Sequence, residues 1–383
     1  MVAAGAATFG SAVSEHPDAA HAVAEAAGAV LDRVGQGADI ALLFVTGPHV
    51  DAMTDLAAAV HAILAPGALI GTTAIGVIGG PSEVEEVPAV SVWAGRTGPA
   101  EAVRLEVIHS PDGVAVVGMP DDAAVGRRTL ILLTDPSSFP TEAFVKATNE
   151  QYPNLSVVGG MASAGGPGAN RLVVQGEVHS DGAVAILLPE GSDDATLVSQ
   201  GCRPVGDPLI VTASDRNLVT GLASRPALER LQSLLDDADD DERSLLAHGL
   251  HVGLVIDEQA EQFERGDFLI RGVLGTDAES GAVRIGDHAP VGTTLQFHVR
   301  DAETASDDLR SLLAPVDADA ALVFTCNGRG TRMFATPDHD AELVHDAVHG
   351  GAVAGMFCAG EIGPVRGRNH VHGLTASVLL FYG

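Results

Sequence analysis

The chain has 383 residues, 46% hydrophobic but only 4% aromatic, with 21 basic and 51 acidic side chains giving a formal charge of −30. That acidity argues against a nucleic-acid partner and an anionic membrane surface, both of which select a basic face. No apolar run reaches spanning length, the first ten residues hold no basic residue of a secretory leader, and three scattered cysteines make no disulfide framework, so a cytoplasmic globular protein is expected.

In chain order, the first predicted element is an apolar strand over residues 40–47 (IALLFVTG) that stops at a turn. Helical spacing follows, with Met53, Leu56, Val60 and Ile63 on one face. A glycine-broken strand over 69–76 (LIGTTAIG) and a returning strand over 89–93 complete the unit. The plan recurs with a strand over 130–136 (LILLTDP), a helix carrying Phe144 and Val145, a glycine-broken strand over 157–163 (VVGGMAS) and a return over 183–188. The apolar pattern then breaks across 190–196, and the division falls there, giving domains of 1–192 and 193–383. A helix is predicted through 227–231, and the acidic run 236–242 (DDADDDE) reads as a solvated loop, because it lacks calcium-loop spacing. Strands over 252–256, 268–274 and 294–299 suggest a weaker copy of the unit with a short or missing helix. The last copy has a strand over 321–328 (ALVFTCNG), a helix opened by Thr336-Pro337 with Leu343, Val344, Ala347 and Val348 on its apolar face, the stretch 353–364 (VAGMFCAGEIGP) and a strand over 374–381.

Each unit thus reads β-α-β-β. A strand, a helix and a second strand make a parallel pair with a crossover, while the later loop-connected strands are antiparallel. The expected fold is α/β with mixed sheets, in two similar domains backed by helices, stacked as helix–sheet–sheet–helix. The middle strands align at Gly71, Gly159 and Gly355, and glycine weakens a strand unless a bulge, close packing or a ligand requires it. Ligands in open α/β sheets collect at the carboxyl ends of parallel strands, where the last unit offers Asn327 and Arg329. The arginine fork suits a carboxylate, whether that of a ligand or of a neighbouring Asp.

Several motifs resemble the FIST (F-box and intracellular signal transduction) proteins. They are residues 70–73 running into 76–80, Glu83, 88–91, Gly201-Cys202-Arg203-Pro204, 266–271, 326–330, 337–340, 357–364 and 372–377. No F-box is visible, so the resemblance is to the stand-alone bacterial form with N- and C-terminal FIST halves. It implies a sensory, signal-transducing protein that binds a small polar ligand, an amino acid or a relative of one, and acts on a downstream partner.

The candidate ligand site follows. Asn327 and Arg329 would orient an anionic group, and backbone amides around Gly355, Gly360 and Gly363 would complete the cradle. Glu361 would hold an ammonium group, Cys358 and Cys202 would supply shape, and His372 would tune polarity. Arg203 and the Thr72 and Thr73 hydroxyls complete the set. Two alternatives stand beside this reading: an enzyme with Cys358 as nucleophile, His372 as base and Glu361 as its orienter, and an interaction module with no ligand. Cys358 also reads as a small buried hydrophobe. Paired Cys-x-x-Cys and phosphate-loop spacings are absent, so no metal or cofactor is expected.

Overall fold

The computed structural model describes residues 8–111, 113–247, 249–260, 262–263 and 266–383; most of the N-terminal stretch on which the no-leader expectation rests, residues 1–7, lies outside them. The described residues form seven α-helices: α1 (Ala19–Val34), α2 (Met53–Leu64), α3 (Thr141–Gln151), α4 (Ala227–Asp237), α5 (Asp240–Ala247), α6 (Ala302–Leu313) and α7 (His339–Ala347). None of the described helices is long and apolar enough to cross a membrane.

The chain divides into two compact units. The first comprises residues 1–198, 309–371 and 375–383, and the second 199–308 and 372–374. This cuts the chain differently from a division at 192/193, and the pairing of the repeats gives the reason.

In the first unit, three sheets share one construction. A parallel pair lies at the heart of each: Ile40–Thr46 with Ala68–Ala74, Arg128–Thr134 with Leu155–Met161, and Ala320–Cys326 with Ala352–Cys358. An antiparallel return strand flanks each pair: Val90–Gly95, Ala183–Leu187 and Thr375–Phe381. Between the second parallel strand and the return strand, every repeat inserts a hairpin, which it gives away. The first repeat's hairpin (Gly76–Gly79, Ser82–Glu85) pairs with Ala352–Cys358 of the third. The third repeat's hairpin begins with Glu361–Val365, which pairs with Leu155–Met161 of the second. The second repeat's hairpin (Leu172–Val174, Glu177–His179) pairs with Ala68–Ala74 of the first. The exchange is cyclic, so residues 320–381 cannot leave the N-terminal repeats without breaking two ladders, one in their own sheet and one in the second.

Strand alternation explains the layering. Inward residues of all three sheets meet in one core that includes Leu42, Phe44, Ile70, Ile131, Leu133, Val158, Leu322, Phe324, Met356 and Cys358. Outward residues pack under helices: α1 and α2 on the first sheet, α3 on the second, α6 and α7 on the third. The expected layering of helix, sheet, sheet and helix therefore gains a third sheet with its own helices.

The repeated glycines sit where this packing is tightest. A Cβ at Gly71, Gly159 or Gly355 would lie 2.5, 1.9 or 1.9 Å from the carbonyl oxygen of its parallel partner, Leu43, Leu132 or Val323. Close backbone approach accounts for the recurrence.

The second unit is built otherwise. Its strands pair antiparallel in the order Cys202–Asp215, Thr294–Arg300, Leu250–Val255, Phe268–Asp277, Ala282–Ile285, Leu218–Leu222, and the last returns to the first. This closes a six-stranded barrel and removes its edges. The 14-residue strand Cys202–Asp215 serves both neighbours through register shifts, one of them between Val205 and Leu209. The stretch read as a weak fourth repeat is thus part of a barrel, with no crossover helix among the described residues between Leu250–Val255 and Phe268–Asp277. α4 closes on the barrel core through Ala227 and Leu231.

Two local expectations are corrected. The acidic run 236–242 is no plain loop: it spans the end of α4, a two-residue link and the first turn of α5, where carboxylates favour the helix dipole. The last repeat's helix opens at His339 rather than at Thr336-Pro337, because Asp338 adopts a left-handed conformation (φ 64°).

Candidate functional site

Two places gather the sequence-predicted residues, one in each unit. The first lies at the end of the parallel strands Ala320–Cys326 and Ala352–Cys358. Arg329 is fully buried, with Nε and Nη2 donating to the two oxygens of Asp340 at 2.7 and 2.8 Å. Thr325 Oγ1 donates to the same carboxylate at 2.6 Å, and His339 Nδ1 lies 2.9 Å from its other oxygen. The His339 ring stacks on Phe334 at 3.5 Å, and Phe334 lies 5.2 Å from the Arg329 guanidinium carbon. Burial opposes the Asp340 charge, but the guanidinium and these hydrogen bonds hold its carboxyl well below the usual range.

The neighbouring helix start is capped from far away in sequence. Glu83 Oε1 accepts from the backbone N–H groups of Asp340 and Ala341 at 2.9 and 3.1 Å, while Asp338 Oδ1 accepts from the Glu83 N–H at 2.6 Å. This reciprocal exchange satisfies orphan donors of α7 with a side chain of the first repeat's hairpin. Desolvation, then the Asp340 charge, pushes Glu83 up to about 8.

Glu361 is also fully buried, and its Oε2 accepts from Thr375 N at 3.1 Å and Thr375 Oγ1 at 2.8 Å. Burial pushes it up to about 8 despite those donors. Cys326 and Cys358 are register partners on the parallel pair. Burial pushes the Cys358 thiol well above its ordinary value, with the Glu361 and Cys326 charges adding to the shift. A Cβ at Gly160 would lie 2.2 Å from the Cys358 sulfur, so the sulfur fills the space that glycine leaves.

The other predicted residues of this unit are engaged in packing or backbone pairing. Thr72 Oγ1 donates to Arg171 O at 3.1 Å, and Thr73 Oγ1 accepts from Arg171 N at 2.9 Å. Asn327 N donates to Cys358 O at 2.9 Å. A Cβ at Gly360 would meet Met161 sulfur at 3.2 Å, and one at Gly363 would meet Ser377 Oγ at 2.5 Å.

The second place is a cavity of about 470 Å³ in the barrel unit. Gln200, Cys202, Arg203, Pro204, Pro208, Phe263, Phe268, Gln296 and His298 line it. Phe263 and Phe268 meet edge to face at 5.8 Å, as do Phe268 and His298 at 5.0 Å. Arg203 Nε lies 3.1 Å from Asp301, and Nη1 lies 3.8 Å from Glu242. Gly253 makes room for the imidazole, since a Cβ there would lie 2.5 Å from a His298 ring carbon. Burial lowers the His298 pKa to about 4, so the ring is neutral near neutral pH. A mostly apolar hollow with a few convergent polar groups is the usual form of a small-molecule site.

The chain matches the FIST N domain over residues 39–225 and the FIST C domain over 227–364, in tandem. It belongs to the FIST family. FIST domains as a class are sensory domains of signalling proteins that bind small ligands. The chain is similar to "Uncharacterized protein Rv0628c" of Mycobacterium tuberculosis, 42% identical over 381 residues, covering 97% of this chain and 99% of the relative. It is also similar to "Uncharacterized protein Mb0898c" of Mycobacterium bovis, 41% identical over 381 residues, covering 97% and 98%.

In this FIST protein, Cys202 and Arg203 of the Gly-Cys-Arg-Pro motif line the barrel cavity, and His372 is assigned to that unit, 3% exposed. Asn327, Arg329, Gly355, Cys358, Gly360, Glu361 and Gly363 belong to the first unit, with Thr72 and Thr73. The sequence reading missed Gln200, Gln296, His298, Phe263 and Phe268 as cavity residues. The alternation of Gln296 and His298 along one strand was the available signal, since two polar residues two apart share a face. It also missed Asp340 as the partner that occupies the Arg329 fork. Among the described residues, His16, Asp18 and His21 bring possible metal-ligand atoms within 4.8 Å of one another, but Asp18 already caps α1 and bonds both rings.

Proposed function

We propose that this FIST protein is a cytoplasmic sensory protein whose ligand, a small polar metabolite of amino-acid size, occupies the barrel cavity. The observation that carries this reading is the cavity itself: about 470 Å³, walled by two phenylalanines, with Cys202 and Arg203 of a family motif at its surface. The first-unit cluster supports the choice by contrast, because Asp340 holds two nitrogens of the Arg329 fork. Three buried cysteines, none in a disulfide, fit a reducing compartment.

Covalent catalysis at Cys358 finds no support in its surroundings, since a nucleophilic thiol needs access and a lowered pKa, and this one is fully buried with its pKa raised. A metabolite library screened by thermal shift, with mass spectrometry of co-purifying small molecules, tests the proposal. A binding metabolite should raise Tm in the wild type, remain chemically unchanged, and lose its effect when Cys202→Phe fills the cavity. A library with no hit, or a hit indifferent to Cys202→Phe in a folded protein, would remove the cavity from consideration.

A further inference from the structure

Resting on that cavity as the ligand site, its hydrogen-bonding character can be read from the backbone. Gln200 Nε2 donates to Phe268 O at 2.8 Å, and Gln296 Nε2 donates to Gly206 O at 2.6 Å. A carbonyl only accepts, so each amide must turn its NH2 toward that carbonyl and its Oε1 elsewhere. His298 Nδ1 faces Gln296 O at 3.1 Å, and the same logic makes Nδ1 the protonated nitrogen of the neutral ring. Its Nε2 is then an acceptor. Three backbone carbonyls therefore fix three acceptors on residues that line one cavity: Gln200 Oε1, Gln296 Oε1 and His298 Nε2. No group among the described residues donates to any of the three. The three side chains are 3%, 8% and 2% exposed, and none of the three acceptors is completely enclosed. Phe263 and Phe268 add aromatic surface, which attracts cations. Among the described residues, the one cation lining the cavity is Arg203, whose charge is met by Asp301 and Glu242.

We propose that the barrel cavity takes a small organic cation whose nitrogen group carries several N–H donors, a primary ammonium or an amidinium, on an apolar body. The acceptors bind the N–H groups and the phenylalanines receive the apolar part. An anion of the same shape leaves all three acceptors unmet and sets its charge against them. A buried polar group left unpaired costs more than a paired one gains, so discrimination should be strong.

The test uses three probes of one shape on the full chain: benzylamine, benzyl alcohol and benzoate, titrated by calorimetry at pH 7. Benzylamine should bind at least about tenfold tighter than benzoate, with benzyl alcohol between them. Gln296→Leu and His298→Leu, each checked for native circular dichroism and Tm, should weaken benzylamine by about tenfold and leave benzyl alcohol within about threefold. Should either variant unfold, Gln200→Leu provides the same comparison. Benzoate binding as tightly as benzylamine, with both lost in Cys202→Phe, would keep the cavity and overturn its preference for cations. No probe binding in the millimolar range would overturn the inference, and a metabolite screen that also failed would remove the cavity reading with it.

Discussion

The two units handle buried polarity in different ways. In the first, Arg329, Asp340, Thr325 and His339 form a set of mutually paired side chains, and Glu83 caps the adjoining helix. Charge there neutralises charge, and the cluster ties the third repeat to the hairpin of the first. In the barrel unit, Gln200, Gln296 and His298 each give one nitrogen to a backbone carbonyl and keep one acceptor, on residues that line the cavity. The chemical difference lies in what fixes the side chain. In the first unit a carboxylate holds two nitrogens of the Arg329 guanidinium, while Arg329 Nη1 and Glu83 Oε2 have no hydrogen-bond partner among the described residues. In the second, a backbone carbonyl holds one end of an amide or imidazole and leaves the other end an acceptor.

The largest expected effect comes from breaking the first-unit cluster. Arg329→Met strands the Asp340 carboxylate and should cost about 3–5 kcal/mol in urea unfolding, while adding Asp340→Leu should restore most of it. A single-variant cost under about 1 kcal/mol would mean the cluster is not a structural tie. Next is the glycine packing. Gly355→Ala should destabilise by about 3 kcal/mol or more, because a backbone oxygen 1.9 Å from the new carbon cannot step aside. Gly272→Ala in the barrel meets nothing nearer than Leu274 Cδ2 at 4.0 Å and should change stability by less than about 0.5 kcal/mol. Equal costs at the two sites would show that the close carbonyl approach does not decide the residue at Gly355.

Glu361 gives a pH signature. Its native pKa of about 8 lies above the ordinary 4.5, so the native state holds a proton that the unfolded state releases between those values. Its contribution is complete below about pH 4.5 and is lost as pH rises through about 8. Glu361→Gln imitates the protonated form and should gain on the order of 2 kcal/mol relative to wild type between pH 6 and pH 8. Comparing the variant with wild type cancels the similar slope from Glu83. Parallel stability curves over that range would show that Glu361 is ionised in the folded protein. The smallest effect concerns Cys358: a thiol reagent should label it only on unfolding, and Cys358→Ala should cost about 1 kcal/mol without changing ligand response. Rapid labelling of Cys358 in the native protein would revive the nucleophile reading.

Much of the first unit was legible from local pattern. The parallel pairs, the helices over Met53–Leu64 and Thr141–Gln151, and the alignment of Gly71, Gly159 and Gly355 all follow from periodicity and repetition. α1 passed unread, although Asp18 is an N-cap and Ala22, Val23, Ala26, Ala27, Val30 and Val34 form a buried stripe; an alanine-rich face gives a weak apolar signal. The cyclic hairpin exchange was not legible, because a hairpin's own sequence does not state which outer edge it will extend. For the same reason three sheets around one core were read as two stacked layers. The reading of glycines as a ligand cradle met a different cause in the structure, since packing against a carbonyl and approach of a ligand ask for the same residue.

Sequence alone determined what short-range chemistry sets: β-α-β-β repeats, mixed sheets, the FIST resemblance, and Cys202 and Arg203 among the residues worth following. Tertiary structure decided which of the remaining polar residues are spent and which stay open. Arg329 looked like a ligand fork until Asp340, eleven residues on, filled two of its nitrogens. His298 and the two glutamines gained meaning only when the barrel set a backbone carbonyl against one nitrogen of each. A side chain's donors and acceptors are written in the sequence, but whether they are satisfied depends on neighbours that only the folded chain supplies.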